Sequence, residues 1–290
     1  MSKAATVKRN YYSRRRLHGR VSHGFGIVML LFCSFIFLLP LYWMVCTALK
    51  SEAYVFSVPP QWVPNPVVWD NFVRVFERMD LLKYIKNTLI LSICPVIGVL
   101  FSCPMVAYSL TKIPWKGPKY IFPVILATMM IPWQVTQIPM YTIWSRLGLV
   151  DTFVPLILPS FFGSAYYIYL IRQFMKSLPS SIMEAARIDG ASDIKILYYI
   201  VYPMCKSILT TIAVLVFIAG WNDLNGPLLY LQSSSKYTLS IGLQMFRQSA
   251  NPEWTLLMAA STIFTLPLIV IFFLCQNAFL NGIQTTSGLK

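Results

Sequence analysis

Charge is scarce in this chain. Asp, Glu, Lys and Arg make up 12% of its 290 residues, against 57% hydrophobic residues, whereas a soluble domain carries about 25% charged residues. Half the usual charge cannot cover a water-soluble globule, so ordinary soluble enzymes, disordered chains and collagen-like chains are excluded. Acid is scarcer still, with ten Asp/Glu against 24 Lys/Arg. Histidine is nearly missing: His18 and His23 both sit in a basic N-terminal stretch. A histidine-based metal site or triad has nothing to be built from. The six cysteines show no C-x-x-C spacing and five lie in apolar stretches. They read as small apolar filler, not as disulfide or zinc ligands.

Long apolar runs are what the chain has in plenty. A helix needs about 20 apolar residues to cross about 30 Å of hydrocarbon. Six runs meet this, at residues 24–49, 87–111, 120–145, 152–171, 207–232 and 254 to about 280, broken by one acid, Asp223. The expected fold is an all-α membrane protein of six transmembrane helices. Its parts are a basic tail (1–23), the first span (24–49), an external interfacial segment (50–84), a core (85–282) with a cytoplasmic loop (176–206), and a short tail (283–290). With both termini inside, 16 Lys/Arg fall in inside segments and eight outside, while six of the ten acids fall outside. This asymmetry sets the orientation.

The run Lys8-Arg9 to Arg14-Arg15-Arg16 directly precedes a span. It is the positive-inside signal, with attraction to anionic membrane lipid, and not a nucleic-acid site. An apolar run of 26 residues is too long for a cleaved signal peptide. Ten prolines, Pro40 to Pro267, fall within the six runs. Each interior proline frees a carbonyl that lipid cannot satisfy, so broken helices point to a bundle around a polar cavity.

The loop before the fifth run carries the densest local pattern. Ser181-x-x-Glu184 has capping-box spacing, Ile182 to Asp189 makes about two helical turns, and Gly190 suits a left-handed cap. Ser192 or Ala191 then starts a second helix from Asp193 to about Ile200, running toward Pro203. The expectation is a short, stiff knob projecting from the membrane.

Glu184-Ala185-Ala186, Gly190 three residues on, then Ile200 and Pro203 after nine more resemble the loop of permease subunits of bacterial ABC importers. Tyr202 stands where that pattern has Leu. Ile131-Pro132 to Tyr141, Leu147-Gly148-Leu149, Trp221-Asn222-Asp223, Pro64-Asn65-Pro66 and Asn87-Thr88 resemble the maltose-type carbohydrate importers. The resemblance covers residues 24 to 282 or so and implies a type I permease bundle in a bacterial inner membrane. It further implies a second, different permease, two cytoplasmic ATPase subunits carrying ATP and Mg, and an external solute-binding protein. Glu184, Ala185, Ala186, Asp189 and Gly190 would form the coupling helix that meets the ATPase, with both alanines allowing close approach.

No G-x-x-x-x-G-K-[ST], H-E-x-x-H or G-x-S-x-G is present, so the chain is read as no enzyme, with no cofactor or metal of its own. Candidate pathway residues are Asp223, an acid within a run, its neighbours Trp221 and Asn222, and Gln134 with Gln137 at i,i+3. For each, helix packing is the competing role. The run interiors hold no Lys or Arg, which favours a neutral sugar over a phosphorylated solute such as glycerol phosphate; a polyamine is the other alternative solute. A membrane-embedded enzyme is the remaining alternative, and one acid without histidine does not equip it.

Overall fold

A computed structural model describes residues 3–248 and 252–287, with side chains for 24–247 and 252–276. The basic side chains of the expected tail 3–23, and residues 288–290 of the expected C-terminal tail, lie outside the described residues. Fourteen α-helices follow in order among the described residues. They are α1 Lys3–Ala48, α2 Asp70–Arg78, α3 Leu81–Lys112, α4 Pro118–Thr128, α5 Trp133–Arg146, α6 Val154–Ile157 and α7 Ala165–Lys176. Then come α8 Ser180–Ile188, α9 Asp193–Ile196, α10 Tyr202–Met204, α11 Lys206–Trp221, α12 Asn225–Tyr230, α13 Leu239–Gln248 and α14 Trp254–Ser287. Described residues contain no strand.

Among the described residues, four stretches are long and apolar enough to cross a membrane: Gly24–Ala48, Leu81–Lys112, Val154–Lys176 and Trp254–Gln276. Two bent pairs raise the number to six. The third expected run is not one helix: α4 and α5 meet at 94°. Pro132 forces the residue before it out of the helical region and itself sits extended at φ −60°, ψ 136°. The fifth run also differs from a single helix to residue 232. Just before that run, Asp193–Met204 and Lys206–Trp221 form a pair bent by 80° at Cys205, two residues after Pro203 and after a π-helical turn over Leu197–Val201. Helix α11 stops at Trp221 after 16 residues, about 24 Å at 1.5 Å per residue. Asp223 therefore lies past the end of α11. Its carboxylate accepts the Gly226 N–H at 3.1 Å, an alternative to continued helix.

The chain forms two compact units: residues to Phe72 with Glu253–Thr262, and Val73–Pro252 with the segment from Ile263. In the first, Asn71 donates to the carbonyls of Ala48 (2.8 Å) and Lys50 (2.7 Å), holding the end of α1. The Glu52 carboxylate accepts the N–H groups of Trp254 (2.8 Å) and Thr255 (3.1 Å), complementing the positive end of α14.

The second unit carries the main core. Helices α3, α7 and α11 pack through Val99, Cys103, Ala107, Ile168, Ile171, Ile212 and Val216. The same cluster continues into the loop through Met183 and Ile196, 2% and 0% exposed. All six cysteines are unpaired, as filler would be. Asn87 donates to the carbonyls of Ser235 (3.0 Å) and Tyr237 (2.9 Å), and the Thr88 hydroxyl accepts the Leu239 N–H at 2.9 Å. These bonds place the start of α13 against α3.

Candidate functional site

Helix α8 begins differently from its expected capping box. Pro179 is the N-cap, extended at φ −59°, ψ 126°, with no side-chain cap bond. Proline offers no N–H and has a φ suited to a helix start, so the helix opens at Ser180 and Ser181 falls inside it. The other end is as the glycine promised. Gly190 has φ +81°. The Gly190 N–H donates to Arg187 at 3.0 Å and the Ala191 N–H to Ala186 at 2.9 Å, the paired bonds of a Schellman cap. Ser192 starts the next helix, its hydroxyl accepting the Lys195 N–H at 3.5 Å.

The helix has two faces. Met183 is buried and Ala186 packs half-buried against the same core. Glu184, Ala185, Asp189 and Gly190 are exposed, and Ile188 is 87% exposed. Ala186, one residue from Ala185 on a 3.6-residue period, is turned partly toward its own bundle. Arg187, which the motif reading passed over, reaches across the loop. Its guanidinium donates to Asp193 Oδ1 through Nη2 (2.9 Å) and Nε (3.3 Å). Nη2 also donates to the Lys112 carbonyl at 3.1 Å. Hydrogen bonding to Asp193 pushes the Arg187 pKa up. One signal was legible: a basic and an acidic residue flanking the cap glycine.

A cleft of about 630 Å³ opens in the same unit. Helix α3 supplies Leu91 and Pro95, the segment after α6 supplies Ser160 and Ser164, α7 supplies Tyr167, and Gly220 and Asp223 close it. At Gly220 α11 meets α3 closely, since a Cβ there would stand 3.0 Å from the Leu91 carbonyl oxygen and 3.1 Å from Ser92 Cα. Gly163, at φ +93°, turns the chain from a 3-10 helix into α7. The Pro159–Gly163 punctuation inside an apolar run was the available signal for Ser160 and Ser164.

The candidate pathway residues are divided by this geometry. Asp223 lines the cleft. Trp221 is 1% exposed. Its ring stacks on Phe217, and its indole N–H donates to the Phe264 carbonyl at 3.1 Å. Asn222 is exposed and its amide donates to the Ile218 carbonyl at 2.9 Å, finishing α11. Gln134 is exposed and Gln137 half-buried, both on α5 and away from the cleft lining.

Residues 96–284 match the family model of binding-protein-dependent transport system inner membrane components. This chain belongs to that family. The permease is 29% identical over 260 residues to the arabinooligosaccharides transport system permease protein AraQ of Bacillus subtilis (strain 168), covering 89% of this chain and 92% of that one. It is also 29% identical over 266 residues to the sn-glycerol-3-phosphate transport system permease protein UgpE of Yersinia enterocolitica, covering 88% and 94%. A crystal structure of a bacterial ABC transporter involved in the import of the acidic polysaccharide alginate superposes with a TM-score of 0.76 at 25% identity, covering 87% of this chain and 95% of that one. The fold is that of an ABC importer permease, and the chain is an inner membrane component.

Proposed function

We propose that this permease imports a neutral sugar or oligosaccharide, released to it by an external solute-binding protein and driven by ATP. The observation that carries the sugar reading is the cleft lining. It offers the hydroxyls of Ser160 and Ser164, the ring of Tyr167 and the carboxylate of Asp223, with no Lys or Arg among its described residues. A sugar has hydroxyl edges for such acceptors and an apolar ring face for the aromatic. A phosphorylated solute calls for cationic partners.

In this reading hydrolysis belongs to two separate cytoplasmic ATPase subunits, which hold the ATP and Mg. The exposed face of α8, with Glu184, Ala185, Asp189 and Gly190, seats against one of them. A different permease chain completes the pathway, and both termini lie in the cytoplasm. Purified with its companions into liposomes, the complex is expected to take up at least one labelled sugar from a panel of neutral oligosaccharides, dependent on ATP and binding protein. Uptake of glycerol 3-phosphate with no sugar uptake would replace this reading with the phosphorylated-solute alternative.

A further inference from the structure

Chain connectivity sends the coupling loop to α7 on one side and α11 on the other. Its hydrogen bonds go elsewhere. Arg187 Nη2 donates to the Lys112 carbonyl at 3.1 Å, one of the free carbonyls at the end of α3. The negative end of a helix favours such a cation. Asp193 receives Arg187 at 2.9 Å and the Tyr108 hydroxyl of α3 at 3.2 Å. In return, the Lys112 ammonium donates to the Leu178 carbonyl just before α8, at 2.7 Å. Both arms of the loop are thus pinned to the last turns of α3. Arg187 also anchors the cap through its own carbonyl, which accepts the Gly190 N–H at 3.0 Å.

Helix α3 is 32 residues long, about 48 Å. Toward its other end it supplies Leu91 and Pro95 to the cleft. One helix therefore joins the coupling loop to the cleft wall. We infer that Arg187 is a positioning residue that passes movement of the coupling helix to α3, the second span, through Asp193 and the Lys112 carbonyl. This rests on the ATP-driven import proposed above. The Arg187–Asp193 pair is partly open to water, with side chains 33% and 46% exposed. Such pairs add little to stability, so the contact is a joint and not a brace. Lysine cannot replace it, because a single ammonium lacks the planar fork that meets two acceptors at once.

The test uses the assembled transporter in liposomes, with Arg187→Lys, Asp193→Asn and the exchange Arg187→Asp with Asp193→Arg. Two quantities are read: sugar imported per ATP hydrolysed, and the ATP-driven change in distance between spin labels at Leu82→Cys on α3 and Leu228→Cys on α12. The second needs no known solute. Arg187→Lys is expected to keep assembly and hydrolysis, to lower import per ATP about five- to tenfold, and to flatten the distance change. Asp193→Asn should act in the same direction, and the exchange should restore part of both. Wild-type import and a wild-type distance change in Arg187→Lys overturn the inference while leaving the sugar reading intact. No sugar import by the wild type, with a distance change that Arg187→Lys abolishes, overturns the sugar reading and supports the joint. If Arg187→Lys lowers the yield of complex, Tyr108→Phe removes one bond to Asp193 without changing charge and is read the same way.

Discussion

The Asp151 carboxylate holds Ser233 twice, accepting its backbone N–H at 3.0 Å and its hydroxyl at 2.5 Å. It also accepts the Gln232 N–H at 2.9 Å and pairs with Lys236 at 3.0 Å. Asp151 sits at φ +59°, and its own N–H donates to the Tyr230 carbonyl at 2.8 Å. One aspartate thus staples the loop before α6 to the loop after α12.

These bonds, the Ser233 hydroxyl foremost, hold the Asp151 carboxyl well below the usual carboxylate range. Its folded pKa lies under the unfolded value of about 3.9. Its stabilisation is therefore complete above that value and is lost as pH falls through the folded one. Thermal unfolding in detergent should show Asp151→Asn about 2–4 °C below wild type at neutral pH. The gap should hold down to about pH 5 and shrink below about pH 4. Equal melting temperatures at pH 7 would refute the staple.

Bulk on the coupling helix should act differently at adjacent positions. Ala185 is exposed and Ala186 packs on the core. Ala185→Trp should leave thermal stability unchanged and reduce co-purification of the ATPase. Ala186→Trp should overpack the core near Met183 and cost about 1–3 kcal/mol. Gly190→Pro demands a φ of the wrong sign and removes the cap bond, so uptake should fall with membrane insertion intact. Normal uptake at normal expression would count against the cap's role.

Within the cleft, Asp223→Asn should change sugar uptake more than Asn222→Leu, because Asp223 lines the cleft and Asn222 bonds its own helix. Assembly and basal ATP hydrolysis should be preserved in both. Uptake rate and half-saturation with a transported sugar check this. An unchanged Asp223→Asn profile would remove Asp223 from the pathway.

Gly220→Leu should destabilise by about 1–3 kcal/mol, the usual cost of overpacking. The neighbours a side chain would meet are backbone atoms of Leu91 and Ser92, which cannot swing aside. Gly226→Ala makes a useful contrast, since the atoms it would meet belong to the Asp223 and Leu156 side chains. Equal melting temperatures for Gly220→Leu and wild type would show that α11 can move off α3.

Much of the loop was legible because its cues are local. The left-handed cap needs a residue without a Cβ, and Gly190 stands there. The capping box failed because spacing alone cannot weigh Ser181 against Pro179, whose fixed φ starts the helix earlier. Pro132 announced a break in the third run and Pro203 one just before the fifth, but their 94° and 80° bends depend on what each half packs against. Arg187 was passed over because its partners, Asp193 and the Lys112 carbonyl, lie six and 75 positions away.

Composition and run length by themselves determined that this chain lives in a membrane, since so little charge cannot hold such apolar stretches in water. The spaced loop residues identified its kind. Tertiary packing alone decided which side of each span is core, cleft or exposed. A helix apolar all round carries no periodic mark of its buried face. Only contact could turn Trp221 toward Phe264 and leave Asp223 in the cleft.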